Sequence, residues 1–408
     1  MQHLRTLWLP IVLLILGIIA VASPTKPDHI NACLWDDDTL RAEAQGLPGL
    51  AEVITGHFDR FPPKYYEMRL DRVTNEVESD PTNLDHYDNA GVACDRLGRS
   101  DDAIEWMSRK RIALDALETP DPEHEYRYLA NLGTFHVHRW LSAGADRAEM
   151  ADVERARDLI AQAIKLNPDA HFGREQYQLR AIEWILSLDE KVVPPTFISI
   201  NHGSEDEPYY EEDPASFWRS SLGDREELIE GLSGLIVLGN AWESVDVYNA
   251  LRFALYYEQY AVIAYLAELR IDELRKQGRR SLLPENQHNK AFRMISSDVL
   301  QTNVIADTER YFREARAQAK ERESAFNAYV IERLDRGEHP DTHPDFFAQW
   351  TPTNYAPPPI PGRAWYNTIA FRIGFALVLL VGLFGCVLLV LIKLTKLIIH
   401  RATTPSGS

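Results

Sequence analysis

A spacing recurs along this chain that leaves few folds open to it. Tyr87, Gly91, Gly98 and Ala103 form one unit, and Leu129, Leu132 and Gly133 open a second unit 42 residues on. The second unit closes with Ala156, Ile160, Ala163 and Pro168. Apolar residues around these positions follow helical spacing, and Ala, Leu, Glu and Arg dominate. Between Asp80 and Gly278 there is no sustained apolar–polar alternation and no Asn-Gly or Asp-Gly hairpin turn. The expected fold class is therefore all-α, built from helical hairpins that recur.

Small residues at matched places in two consecutive helices let those helices cross closely. Gly91 and Ala103 are twelve residues apart, the spacing found in tetratricopeptide repeats, and the two units resemble that family. Pro168, in Lys165-Leu166-Asn167-Pro168, stands where the family ends its second helix. There are departures. Gly133 and Ala156 are 23 residues apart. This implies an insertion of about eleven residues, expected in the turn around Leu141 to Ala151, where added length costs little. Asp115 stands where the first unit's proline belongs. The resemblance implies a short right-handed stack of hairpins, with a concave face that binds a segment of another protein.

The rest of the chain divides by composition. Residues 23–80 are expected to cap the array, with a helix starting after Pro62-Pro63 at Tyr65-Tyr66-Glu67-Met68. Residues 81–189 hold the repeats and a further helix from Phe172 to Leu188. Residues 190–213 form an acidic, proline-containing loop. Residues 214–278 form a second helical block of degenerate repeats, opened by Asp213-Pro214, with a helix end at Gly239-Asn240. Within it, Tyr248, Leu251, Leu255, Ala264, Tyr265 and Leu269 read as one more helix pair. Residues 279–338 contain a long charged helix whose face of Phe312, Ala315, Ala319, Phe326 and Val330 packs on the array or serves as a stalk. Residues 339–365 read as a proline-rich extended linker.

Residues 366–400 hold a transmembrane helix and its basic flank. The run from Ile373 to Ile392 carries no charge and is long enough to cross the hydrocarbon core. Lys393, Lys396 and Arg401 follow it and place the tail, 401–408, on the cytoplasmic side. At the other end, Arg5, the apolar stretch Leu7–Val21 and the small residues Ala20 and Ala22 describe a secretory signal over residues 1–22, or an uncleaved anchor. The body is then exported. The sequence contains no Asn-x-Ser/Thr acceptor, which favours the bacterial inner membrane with the body in the periplasm. Cys33 and Cys94 are either a bridged pair or two separate thiols in that compartment.

The net charge of −18 argues against nucleic acid and suits a basic partner. In the family, the inner face of a first helix corresponds here to Asp85, Asp88, Val92 and Asp95, and in the next unit to Arg127, Ala130, Thr134 and Val137, followed by His138. Asp85, Asp88, Asp95, Arg127 and His138 are thus the candidate binding residues. The three acids share one helical face and repel unless a cation lies opposite, either a partner's basic segment or the chain's own Arg96, Arg99 or Arg109. The repeat-defining residues, expected to be structural, are Tyr87, Gly91, Ala103, Leu132, Gly133, Ala156, Ala163 and Pro168. His136 and His138 are too closely spaced to form a helical metal pair, and His339, Asp341, His343 and Asp345 lie in an unorganised loop. No nucleophile elbow, phosphate loop, dinucleotide fingerprint or zinc signature occurs. The expectation is a non-enzyme without cofactor, a membrane-anchored scaffold for another envelope protein. The alternatives are a self-associating structural protein and an enzyme with a scattered site.

Overall fold

The structure, a computed structural model, describes residues 36, 47–167, 174–188, 196–199, 225–255, 260–292, 300–351 and 360. Among these there are twelve α-helices and no strand. They are α1 (Leu50–Thr55), α2 (Pro63–Ser79), α3 (Leu84–Arg96), α4 (Ser100–Asp115), α5 (Pro122–Ser142) and α6 (Ala151–Leu166). Then follow α7 (Arg174–Ser187), α8 (Arg225–Val237), α9 (Val245–Leu255), α10 (Ala261–Lys276), α11 (Glu285–Ala291) and α12 (Thr302–Asp335).

The local chemistry explains the boundaries. Pro63 and Pro122 occupy first-turn positions of α2 and α5, where a missing N–H costs nothing. Asn83 caps α3 by accepting from the Asp85 amide at 3.1 Å, and Asp121 caps α5 through the Glu123 and His124 amides. The insertion in the second unit is shared between helix and turn. α5 runs for 21 residues against 13 in α3, and the chain then turns through Gly144 and Ala145, both at positive φ, before α6 begins. α6 ends at Leu166. Pro168 lies outside the described residues, as do Asp213-Pro214, Cys33 and both apolar runs, Leu7–Val21 and Ile373–Ile392. No helix among the described residues is long and apolar enough to cross a membrane.

From α2 to α10 each described helix packs against the next. The close crossings fall on the glycines. A Cβ on Gly91 would lie 2.8 Å from Met107 Cε of α4, and one on Gly133 would lie 2.8 Å from Ile160 Cδ1 of α6. Ala103, Ala156 and Ala163 are fully buried, and Tyr87 and Leu132 are nearly so. Cys94 lies in this core as a free thiol, and burial pushes its pKa up to about 11.

The array is not left open at its N-terminal side. The long helix α12 packs on α10, on α1 and on α2, so it reaches both the last and the first helices of the series. Its face of Phe312, Ala315, Ala319, Phe326 and Val330 is buried within the chain, so the helix is not a stalk. Glu273 of α10 accepts from Arg316 at 2.8 Å, and Arg60, just before α2, donates to Glu323 at 3.0 Å. At the centre of this closure the Trp242 ring carries three guanidiniums, from Arg60, Arg270 and Arg316, at 4.5, 3.9 and 5.1 Å. Burial pushes the Glu273 carboxyl up, but Arg316 and Arg270 outweigh this and hold it down to about 2.

The sequence reading of 339–365 as an extended linker needs correction over its first part. Residues 339–351 form turns folded onto α2 and α12, with His339 and Phe346 buried. Phe346, Phe347 and Trp350 pack with Phe61, Tyr65, Phe326 and Tyr329 in one aromatic cluster. Burial of Phe346, with Phe347 and Trp350 partly buried beside it, and the ion pairs of Asp341 together offset the cost of ordering this stretch.

Candidate functional site

The acid row on α3 follows from helix geometry, with Asp85, Asp88 and Asp95 spaced to share a face. That face is turned toward α5 rather than toward a ligand. Asp85 accepts from Arg127 Nη1 at 2.8 Å, and Asp88 accepts from Asn131 Nδ2 at 3.0 Å. Asp95 meets His138 Nδ1 at 3.0 Å. One helix further along, Gln178 of α7 donates to Thr134 of α5 at 2.9 Å. These pairs span 42, 43, 43 and 44 residues, so they form a ladder of polar rungs repeating with the array.

The expectation of an acidic face open to a basic segment is therefore corrected. Asp88 is 2% exposed and Asp95 6%, and only Asp85, at the rim, keeps a half-exposed side chain. Val92, Ala130, Thr134 and Val137 are buried too. All five candidate binding residues lie along one interface, but their partners are one another and their neighbours. The cations are not the arginines named from sequence, Arg96, Arg99 and Arg109. Arg96 donates instead to the Leu238 carbonyl at 2.6 Å, Arg99 pairs with Asp102, and Arg109 lies over Trp106.

Sequence reasoning missed the strongest partner. Lys110 of α4, with a fully buried side chain, donates its Nζ proton to Asp88 Oδ2 at 2.6 Å. Burial drives the Asp88 carboxyl up, but Lys110 and His124 overcome it and leave it lowered. Burial lowers Lys110 in turn, with Asp88 opposing. The signal for Lys110 was present but hidden: it is the lone cation on a face of α4 that otherwise reads as apolar, with Ala103, Trp106, Met107 and Leu114 buried beside it.

Asp85, Asp88 and His124 also bring donor atoms within 4.8 Å of one another, close enough to share a metal ion. Lys110 and Arg127 already neutralise these carboxylates, so a divalent ion would have to displace two positive charges. The two carboxylates of this group are engaged in ion pairs with Lys110 and Arg127, while the buried His124 Nδ1 makes no hydrogen bond. His136 is held elsewhere, by Asp152 at 2.8 Å, and burial lowers its pKa. His339 and Asp341 do not form an open loop site, since Asp341 accepts from Arg69 and Arg72. A shallow cleft of about 410 Å³ lies beside α2 and α3, lined by Arg72, Asn75, Glu76, Ser79, Asp80 and His86.

No protein-family model, curated protein or solved structure matches this chain.

Proposed function

We propose that the chain is a membrane-anchored scaffold of tetratricopeptide-like hairpins that holds another envelope protein at the periplasmic face of a bacterial inner membrane. The observation that carries the repeat reading is the paired glycine crossing. Gly91 admits Met107, and Gly133 admits Ile160, at the same place in two successive hairpins. The tether and its sidedness rest on the Ile373–Ile392 run and the basic residues after it. The non-enzymatic reading rests on the Asp88–Lys110 pair being fully engaged inside the helix stack.

Burial of the acid row moves the expected contact outward. Ile112 on α4 is 72% exposed, and it stands between Arg109, on Trp106, and the exposed Asp115. This outer face of α4 offers a partner a small apolar contact flanked by Arg109 and by Asp115, which is itself paired with Arg111. Self-association through the Phe312–Val330 face loses support, because that face is already covered by the chain's own helices.

The test is cross-linking of the full chain in native membranes, followed by purification and mass spectrometry. A second envelope protein joined near Ile112, and lost in Ile112→Asp, is the expected result. A ladder containing only this chain would overturn the scaffold reading in favour of self-association. Recovery of the chain in the soluble fraction would overturn the tether.

A further inference from the structure

The chain between α1 and α2 is held to α12 at three points that lie close together in sequence. Arg316 Nη1 donates to the Thr55 carbonyl at 2.8 Å, Arg322 pairs with Asp59 at 2.7 Å, and Arg60 Nε donates to Glu323 at 3.0 Å. The loop also lies flat on Trp242. Gly56, at positive φ, approaches so closely that a Cβ there would come within 2.6 Å of the indole, and Phe58 meets the same ring edge-on.

His57 sits inside this latch, 9% exposed. The Thr55 hydroxyl donates to the Ala51 carbonyl at 2.6 Å. Toward His57 Nδ1, at 3.2 Å, it can therefore only accept, which places the ring proton on Nδ1. The lone pair is left on Nε2, which is buried and has no hydrogen-bond partner among the described residues. A second proton has to enter there. It would find no acceptor, and it would add a positive charge beside Arg316 and Arg322, two of the three residues that hold the loop.

The carboxylates around the ring are already engaged. Asp59 is held by Arg322, Glu323 by Arg60, and Glu273 of α10 by Arg316, Arg270 and Lys320. Glu52, the acid of α1, meets the His57 amide through its backbone carbonyl. A neutral imidazole thus completes the latch, and a charged one works against it.

We propose that His57 is an acid trigger, and that a proton on its Nε2 releases residues 55–60 from α12 and uncovers the face of Trp242 beneath them. The latch needs neither the tether nor a partner, so it stands apart from the scaffold reading. In the released loop the ring titrates near 6.5, whereas in the closed one burial, aided by Arg322 and Arg316, holds it down to about 4. The ratio of closed to open loop therefore falls as pH drops from 6.5 toward 4, by up to about ten-fold per pH unit.

Hydrogen exchange of the full chain at pH 7 and pH 5, corrected for the intrinsic effect of pH, tests this. Peptides covering residues 51–61 and 312–323 should exchange roughly ten-fold faster at pH 5, while α3–α5 change little. His57→Asn keeps a donor for Thr55 but cannot take up the second proton, so its exchange should be the same at both pH values. An equal rise in His57→Asn, no rise in the wild type, or a rise of the same size in α3–α5 would overturn the trigger. Should His57→Asn already exchange fast at pH 7, its loop has failed to close, and the wild-type ring itself decides. Deuterium uptake at the His57 C2 position that is slow and titrates below pH 5 supports the trigger, and a midpoint near 6.5 refutes it.

Discussion

The block from α3 to α7 and the closure made by α1, α10, α12 and residues 339–351 are both helical, yet they are held together differently. In the first, each rung joins a residue to one 42 to 44 positions later, so the same interface is made more than once. In the second, each contact is made once, and several join partners far apart in sequence: Arg69 and Asp341 are 272 residues apart, and Arg60 and Glu323 are 263 apart. A repeating interface spreads its stability over neighbours, while a single closure concentrates it in a few side chains. Local damage should therefore remain local in the closure and propagate along the ladder.

The largest expected effect is at the root of the ladder. Lys110→Met leaves Asp88 buried without its cation and should cost about 3–5 kcal/mol, measured as a fall in the denaturant midpoint. Hydrogen exchange should rise across α3, α4 and α5 together. An increase confined to α4 would break the distinction drawn above. Trp242→Ala is the matching insult to the closure. The ring is only partly buried, so we expect roughly 2–3 kcal/mol, with faster exchange in α1 and α12 and little change in α3–α6. Next comes Gly133→Ala, whose methyl would collide with Ile160 and Leu159; about 1–3 kcal/mol is expected from the overpacking.

Acid sharpens the comparison further. Burial, aided by Arg322 and Arg316, pushes the His57 imidazole down to about 4. In the unfolded chain it titrates near 6.5. As pH falls from 6.5 toward 4, the unfolded state takes up this proton first, so the stability that the neutral imidazole provides is lost in that window. Asp341, held down to about 2 chiefly by Arg69 against the opposing effect of burial, adds a second loss between pH of about 4 and 2. Exchange at pH 5 should therefore rise around His57 and its neighbours on α12 before it rises in α3–α5. At the small end, Asp85→Ala removes a half-exposed rung and should cost no more than about 0.5–1 kcal/mol in thermal melts.

How much of this could be read beforehand follows the same division. The recurring positions Gly91, Ala103, Gly133 and Ala156, and the buried face of α12, were visible because helical periodicity and small-residue spacing are local properties. The acid row was visible as a row, but its partners were not. Repulsion among Asp85, Asp88 and Asp95 requires a cation without saying whether it comes from another protein or from α4 and α5 of the same chain. Lys110 escaped notice because a buried lysine looks, in sequence, like any solvated one. The docking of residues 339–351 was hidden by their prolines, which suggested a linker. Composition reports backbone stiffness, whereas docking depended on what Asp341 and Phe346 would meet hundreds of residues away.

One buried group provides a clock for these motions. The Cys94 sulfur lies sealed in the core built around α3 and α4, with its proton held too tightly for it to act as a nucleophile at neutral pH. An alkylating reagent should reach it only in molecules whose first hairpin has momentarily come apart. The rate at which its peptide gains mass would then time the opening of that hairpin in the intact protein, without any introduced label.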